Sequence, residues 1–203
     1  MYKTGKTTNL SNSGVSETDP FWSPDSKYLY FVSNPFKPAY PLGMNPAKIY
    51  RVALEKMDDP YRIDKYDELF KPEKKDTTKK KDTLMASITI DTERFLDRME
   101  PVGPNAGNQY LLTVLQKGDK QTVLYVSNHG EGRPSLWKTI YEPFEQPKTE
   151  KIAGTETGSF DFAEADGKYF VLSRGNISKL NLDGNKLDPI TISHTFRRNL
   201  AGE

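Results

Sequence analysis

The chain has 203 residues, which is enough for one large domain or two small ones. Its 29 basic and 28 acidic residues nearly cancel, so the charge gives no reason to expect a nucleic acid or an anionic membrane as partner. The absence of cysteine excludes disulfides and thiolate chemistry. No apolar run approaches the ~20 residues of a membrane-spanning helix, so no membrane span is expected.

The first hairpin is the clearest local signal, in residues 19–34, DPFWSPDSKYLYFVSN. Pro24 presets φ at the first central position of a turn, and Asp25 can accept a hydrogen bond from the backbone ahead of it. The following YLYFV run is aromatic and β-branched without polar alternation, which is typical of a strand covered on both faces. Because neighbouring blades cover both faces of each sheet in a β-propeller, we predict an all-β fold built of propeller blades.

Three similar units follow one another, which predicts about three four-stranded antiparallel blades of a larger, incomplete propeller over residues 1–203. The units span about residues 19–90, 100–153 and 156–195. In the first unit, the third strand is predicted at residues 48–54 and the outer strand at residues 87–90. The strands of the other units are predicted at residues 109–115, 121–128, 135–141 and 149–153, and at residues 159–162, 168–173, 176–181 and 189–193.

Turn signals and internal echoes support this division into units. The pairs Asp166-Gly167 and Asp183-Gly184 lie between apolar runs, where Asp-Gly strongly favours a hairpin. The segment YFVSN at residues 30–34 recurs as LYVSN at residues 124–128 and more weakly as FVLSR at residues 170–174. Such self-similarity indicates a repeat array.

A polar stretch interrupts the first unit at about residues 56–86. Its centre, KPEKKDTTKKKD at residues 71–82, contains no large apolar residue. Such a segment cannot offset the entropy of ordering, so we predict a mobile insertion there.

These segments resemble a known family. The run WSPDSKYLYF at residues 22–31 is similar to the repeat shared by Tol-type periplasmic propellers and the tricorn proteases. NPFKPAY at residues 34–40 and then Gly43-Met44 precede the third strand. After the insertion, ITIDTERFLDR at residues 88–98 resembles the tricorn pattern of an outer strand, an acidic loop and an Asp-Arg pair. With GNISKL at residues 175–180, the resemblance to the tricorn protease family covers roughly residues 10–195.

The resemblance implies a modular parent protein. Tricorn-like peptidases carry β-propellers ahead of a PDZ-like domain and a serine peptidase core. It therefore implies a non-catalytic segment that guides or gates peptide substrates to a peptidase core outside this chain. The implied partners are those peptides and the downstream PDZ-like and peptidase domains, and the implied location is cytoplasmic. No cofactor is expected.

Two alternatives remain open. One is a free-standing Tol-type periplasmic propeller that binds a protein partner, and the other is the propeller of a prolyl-oligopeptidase-like enzyme. Three units are too few to close a ring, so we expect a fragment of a longer protein whose open ends promote self-association. Residues beyond Glu203 would discriminate between these interpretations. A PDZ-like region followed by a Ser/His peptidase core would favour a tricorn-like peptidase, and an α/β-hydrolase nucleophile elbow would favour a prolyl-oligopeptidase-like enzyme.

Catalytic and metal sites are not predicted within the chain. His129 lies in a Gly-rich loop, and His194 ends the last predicted strand. No Gly-x-Ser-x-Gly elbow accompanies them. Two histidines without cysteine or His-x-Glu spacing also disfavour a zinc site.

Four residues are candidates for binding. Arg94 and Arg98 share a loop with Asp91, Glu93, Asp97 and Glu100, where paired carboxylates suit acid/base work or calcium. Because no glycine occupies the turning position, a structural ion-pair cluster at a blade junction is the favoured interpretation. Arg133 and Trp137 could hold a peptide by charge and stacking, although such residues more often pack at blade edges.

Overall fold

The computed structural model describes residues 7–34, 46–56, 90–130, 132–155, 159–191 and 193. In these residues the fold is all β, with three four-stranded antiparallel sheets and one short 3-10 turn at Phe95–Arg98. This confirms the predicted fold class, although the three sheets do not form a closed propeller. Within the same ranges, no helix is long and apolar enough to cross a membrane.

Each sheet is a meander in which the strands lie side by side in chain order. The first sheet contains β1 (Glu17–Trp22), β2 (Tyr28–Ser33), β3 (Lys48–Ala53) and β4 (Met99–Pro101). The second contains β5 (Gln109–Lys117), β6 (Lys120–Ser127), β7 (Ser135–Tyr141) and β8 (Lys148–Lys151). The third contains β9 (Asp161–Ala165), β10 (Lys168–Ser173), β11 (Asn176–Asn181) and β12 (Lys186–Pro189).

The turn between β1 and β2 forms as predicted. The Ser26 amide donates to the Ser23 carbonyl at 2.9 Å, which closes the turn. Asp25 Oδ1 accepts from the Lys27 amide at 3.1 Å, and the buried Ser23 Oγ accepts from the Tyr28 amide at 2.8 Å. Side-chain oxygens of Ser23 and Asp25 therefore accept hydrogen bonds from backbone amides of the turn and so stabilise it.

The Asp-Gly hairpin between β9 and β10 is also confirmed. Asp166 and Gly167 both have positive φ, at 50° and 66°. Two successive left-handed residues make a type I′ turn, whose twist matches that of the flanking strands. The second Asp-Gly pair likewise lies in the turn between β11 and β12.

Two outer strands differ from the sequence prediction. The fourth strand of the first sheet is β4, which pairs with β3 through Arg51 opposite Glu100. The prediction had placed it at residues 87–90, but residues 87–89 lie outside the described residues and Ile90 is not in a strand. The last strand is β12 and not residues 189–193, because the tight turn after β11 places Lys186 directly opposite Asn181.

The second sheet is covered on both faces. One apolar core joins the first two sheets and contains Tyr30, Val32, Ile49, Val102, Val114, Val123 and Tyr125. Another joins the second and third sheets and contains Leu115, Leu124, Val126, Leu136, Ile152, Phe160, Val171 and Leu180. The middle sheet thus has the double-sided burial that distinguishes a propeller blade from a sheet with one wet face.

The two end sheets differ in how their outer faces are covered. Phe31 and Val52 on the first sheet pack against Phe95 and Leu10, which come from flanking segments. On the third sheet, Leu172 and Ile177 are opposite each other and exposed. The insertion at about residues 56–86 lies outside the described residues except for Lys56, so its mobility stays a prediction.

Candidate binding cleft between the first two sheets

A cleft of about 910 Å³ opens between the first and second sheets. It lies at the end of the sheets where the β1–β2 turn, the β5–β6 turn and the β7–β8 loop come together. Its walls are side chains that point from each sheet toward the other, beyond the apolar core that the two sheets share.

Arg51 forms one wall of the cleft from the middle of β3. Its guanidinium carbon lies 3.6 Å from the ring centroid of Tyr141 and 4.8 Å from that of Tyr28, within range of cation–π attraction. Its Nε and Nη2 donate to Glu100 Oε2 at 2.9 and 2.7 Å. The side chain is only 12% exposed, so its charge is desolvated but compensated.

A chain of hydrogen bonds ties the two sheets together at the bottom of the cleft. Tyr30 Oη donates to Gln121 Oε1 at 2.8 Å, and Gln121 Nε2 donates to Asp25 Oδ2 at 2.9 Å. Tyr30 and Gln121 are buried, so each bond satisfies a polar group that would otherwise be costly. The chain fixes the β1–β2 turn against the second sheet and so fixes the cleft walls relative to each other.

Phe144 lies at the rim in the β7–β8 loop. Its side chain is 94% exposed, and its φ is 65°. A left-handed conformation costs a non-glycine residue about 1–2 kcal/mol. Residues held in such sparsely populated backbone conformations cluster at functional sites.

The charge on the cleft lining is predominantly negative. Lys27 and Arg51 are its two cations, whereas its carboxylates are Asp25, Glu100, Asp119, Glu142 and Glu145. Several of these are engaged, since Glu100 pairs with Arg51 and Glu142 lies 2.8 Å from Lys120 Nζ. The carboxylates of Asp119 and Glu145 have no hydrogen-bond or ion-pair partner among the described residues.

The tyrosine hydroxyls in the wall are neutral at physiological pH. The pKa of Tyr141 is raised to about 12, chiefly by burial, while the nearby Arg51 acts in the opposite direction. Burial also raises the pKa of Tyr28, again against the effect of Arg51. The cleft therefore presents uncharged aromatic surfaces beneath a rim of carboxylates.

The predicted candidates Arg94 and Arg98 lie beside the end of β3. The Arg98 guanidinium donates to the carbonyl oxygens of Ala53 at 3.1 Å and Glu93 at 3.0 Å, and it also donates to that of Asp91. Arg98 thus clamps the preceding loop onto the first sheet. Arg94 is 75% exposed and pairs with Asp97 at 2.6 Å.

One member of the predicted loop cluster lies elsewhere. Glu100 is in β4 and pairs with Arg51 across the sheet, so it does not join the Arg94 and Arg98 contacts. In the described ranges, no group of three or more His, Cys, Asp or Glu residues is placed to hold a metal ion.

The other two candidates lie at the opposite end of the second sheet. Trp137 Nε1 donates to the Ser127 carbonyl at 3.2 Å, and its ring centroid is 4.0 Å from that of His129. Burial and Lys48 lower the pKa of His129, whose Nδ1 lies 2.7 Å from Ser127 Oγ. Arg133 is exposed nearby. His194 lies outside the described residues.

The structure therefore does not bring the four sequence candidates together, and the cleft residues were missed by sequence reasoning. One signal was present. Arg51 interrupts the apolar run that follows Lys48 in the third strand, KIYRVA, and a charge in a covered strand needs a partner. Phe144 and Asp119 carry no comparable signal, because each is an ordinary residue in a polar loop.

Comparisons with known proteins give one distant structural similarity. No protein family model matches the sequence, and no curated protein matches it. A crystal structure of the tricorn protease is similar with a TM-score of 0.46 and 14% sequence identity. The match covers 87% of this chain and 17% of that one, so the chain spans less than a fifth of the tricorn protease's length.

Proposed function

We propose that this chain is a non-catalytic, blade-built recognition segment that binds peptides. We further propose that it belongs to a tricorn-like serine peptidase, in which it guides or gates peptide substrates toward a peptidase core outside this chain.

The cleft between the first two sheets carries the first part of this proposal. Its volume of about 910 Å³ lies within the ~300–1,000 Å³ range of small-ligand sites. Its walls are pre-organised, because Arg51 and Gln121 are each fixed by hydrogen bonds across strands or sheets. An extended peptide could thus bind without ordering these groups, which lowers the entropic cost of association.

The tricorn assignment rests on sequence motifs. The run at residues 22–31 lies in the hairpin of β1 and β2, and the described part of the second run, residues 90–98, precedes β4. The assignment depends on the order of three features. The hairpin repeat, which Tol-type propellers share, is followed by NPFKPAY and Gly43-Met44 before the third strand, and then by the run at residues 88–98 after the lysine-rich insertion.

Site-specific photocrosslinking tests peptide binding in the cleft. Benzoylphenylalanine replaces Phe144 in one variant and Tyr110, an exposed residue of β5 outside the cleft lining, in a matched control. We expect labelled peptides from a casein digest to crosslink at position 144, far less at position 110, and to remain uncleaved. Equal labelling at both positions would contradict the cleft, and hydrolysis abolished by one Ser or His substitution would contradict the non-catalytic assignment.

The assignment to a tricorn-like parent protein is tested separately, by the domains that the full-length polypeptide contains. A PDZ-like region and a Ser/His peptidase core in the same polypeptide would support the tricorn-like assignment. Capture of a folded protein without any affinity for peptides would instead favour the Tol-type alternative.

A further inference from the structure

We propose that the cleft between the first two sheets selects a cationic side chain, lysine or arginine, of the bound peptide. The aliphatic stem would lie along Phe144, and the charged end would reach Asp119 and Glu145. The inference rests on the proposed function, since it specifies which peptides this cleft prefers.

The distribution of ion pairs in the lining leaves negative charge available. Glu100 and Glu142 each pair with a cation of this chain. Asp25 accepts hydrogen bonds from Ser23 and Gln121. In the part of the chain that the structure describes, Asp119 and Glu145 remain without such partners, and both are exposed at the rim.

The one buried cation in the wall does not offer a site for a peptide carboxylate. Two nitrogens of Arg51 already donate to Glu100, and its planar group lies against the rings of Tyr28 and Tyr141. An anionic ligand would have to displace Glu100 and approach the unpaired rim carboxylates. The repulsion between the anionic ligand and these carboxylates disfavours binding, so the lining discriminates against acidic peptides.

The exposed ring of Phe144 suits the stem and head of a long cationic side chain. Lysine and arginine place their methylene groups on apolar surface while the charge stays near water. Phe144 is almost fully exposed, whereas Arg51 already lies over one face of the Tyr141 ring. The free ring face of Phe144 attracts cations, so it accommodates both the methylene stem and the charged head.

A set of matched fluorescent peptides tests this preference by anisotropy titration with the whole chain. The peptides are Gly-Ser-Leu-X-Leu-Ser-Gly, in which X is lysine, arginine, norleucine or glutamate. We expect the lysine and arginine peptides to bind about three- to ten-fold more tightly than the norleucine peptide, as expected of one exposed charge contact plus a cation–π contact. The glutamate peptide should bind most weakly, and added salt should reduce the differences.

Two variants locate the effect. Asp119→Asn combined with Glu145→Gln should remove the advantage of lysine over norleucine while norleucine binding stays unchanged. Phe144→Ala should weaken binding of both peptides. Glu164→Gln and Tyr110→Ala, which alter an exposed acid and an exposed aromatic outside the cleft lining, should leave every affinity unchanged.

The outcomes separate this inference from the proposed function. If all four peptides bind equally, or if the double variant keeps the lysine preference, the cationic selectivity is wrong and peptide recognition stands. If none of the peptides binds and none crosslinks at position 144, the proposed function itself is wrong.

Discussion

Arg51 offers a direct test of how the cleft wall is held. We expect Arg51→Met to lower the unfolding free energy substantially, because methionine keeps an apolar stem but loses the charge. The lost interactions are the two hydrogen bonds to Glu100 and the contacts with two tyrosine rings.

The magnitude follows from these contacts. A cation–π contact of a desolvated arginine contributes about 1–2 kcal/mol. The ion pair contributes about 1 kcal/mol, because Glu100 is 59% exposed and solvent screens it. Relief of the buried charge offsets part of this sum. We therefore expect a net loss of about 2 kcal/mol for Arg51→Met and about 0.5–1 kcal/mol for Glu100→Gln.

Urea unfolding followed by circular dichroism measures both variants and their combination. The double-mutant cycle should give a coupling energy of about 0.5–1 kcal/mol between the two positions. Arg94→Met is the matched control, because Arg94 is 75% exposed and pairs with Asp97 on the surface. Its effect should stay within about 0.5 kcal/mol. Equal losses for Arg51→Met and Arg94→Met would refute the reasoning that burial makes the Arg51 contacts matter.

Three further predictions concern stability. Hydrogen bonds from Lys148, Asn185 and Lys138 lower the pKa of Glu150 to about 2 from its ordinary 4.5. The carboxylate therefore stabilises the fold above pH 4.5, and this stabilisation is lost as the pH falls toward 2. In urea melts at a series of pH values, Glu150→Gln should flatten the change in stability over this range. Gly103→Ala should cost about 2–3 kcal/mol in the same assay, because φ is +71° and a β-carbon would overlap the hydroxyl of Tyr125. A loss of no more than the ~1 kcal/mol that the left-handed backbone alone costs would mean that the Tyr125 ring moves aside freely. Phe31→Ala should cost about 3–5 kcal/mol because Phe31 is buried, whereas Phe144→Ala should change the midpoint of urea unfolding little. Similar midpoints for the two variants would contradict the burial assigned to Phe31.

The sequence predicted the inner strands well because their signals are local. The run from Tyr28 to Ser33 is bounded by a Pro-Asp turn, and the strands at residues 135–141, 168–173 and 176–181 match the observed bounds. In each case a turn residue follows the strand closely, so the local sequence marks where the strand ends.

The outer strands were less predictable because their position depends on pairing. The sequence places the last strand at residues 189–193, which include three β-branched residues, yet the turn after Asn181 returns the chain at Lys186 and so sets an earlier register. Likewise β4 is only three residues long and contains a proline, so its local propensity is weak. It is a strand because it pairs with β3, where its three residues lie opposite Tyr50, Arg51 and Val52.

The cleft could not be predicted because the residues that meet in it come from two sheets and are distant in sequence. Tyr30 and Gln121 are separated by 91 positions, and the contact of Arg51 with Tyr141 likewise depends on how the sheets stack. Residue type indicates that such groups need partners, but only the stacking decides which partners they find.

The double-sided burial of the second sheet has a consequence for how the chain opens. In a linear stack, an end sheet can detach by breaking one interface, whereas the middle sheet must break two. Backbone amides in β6, where Val123, Leu124 and Tyr125 are completely buried, should therefore exchange with deuterium only through global unfolding. Amides of β10 should exchange through a smaller opening that leaves the first two sheets intact. The slowest and the faster exchanging amides would then mark separate cooperative units within one polypeptide.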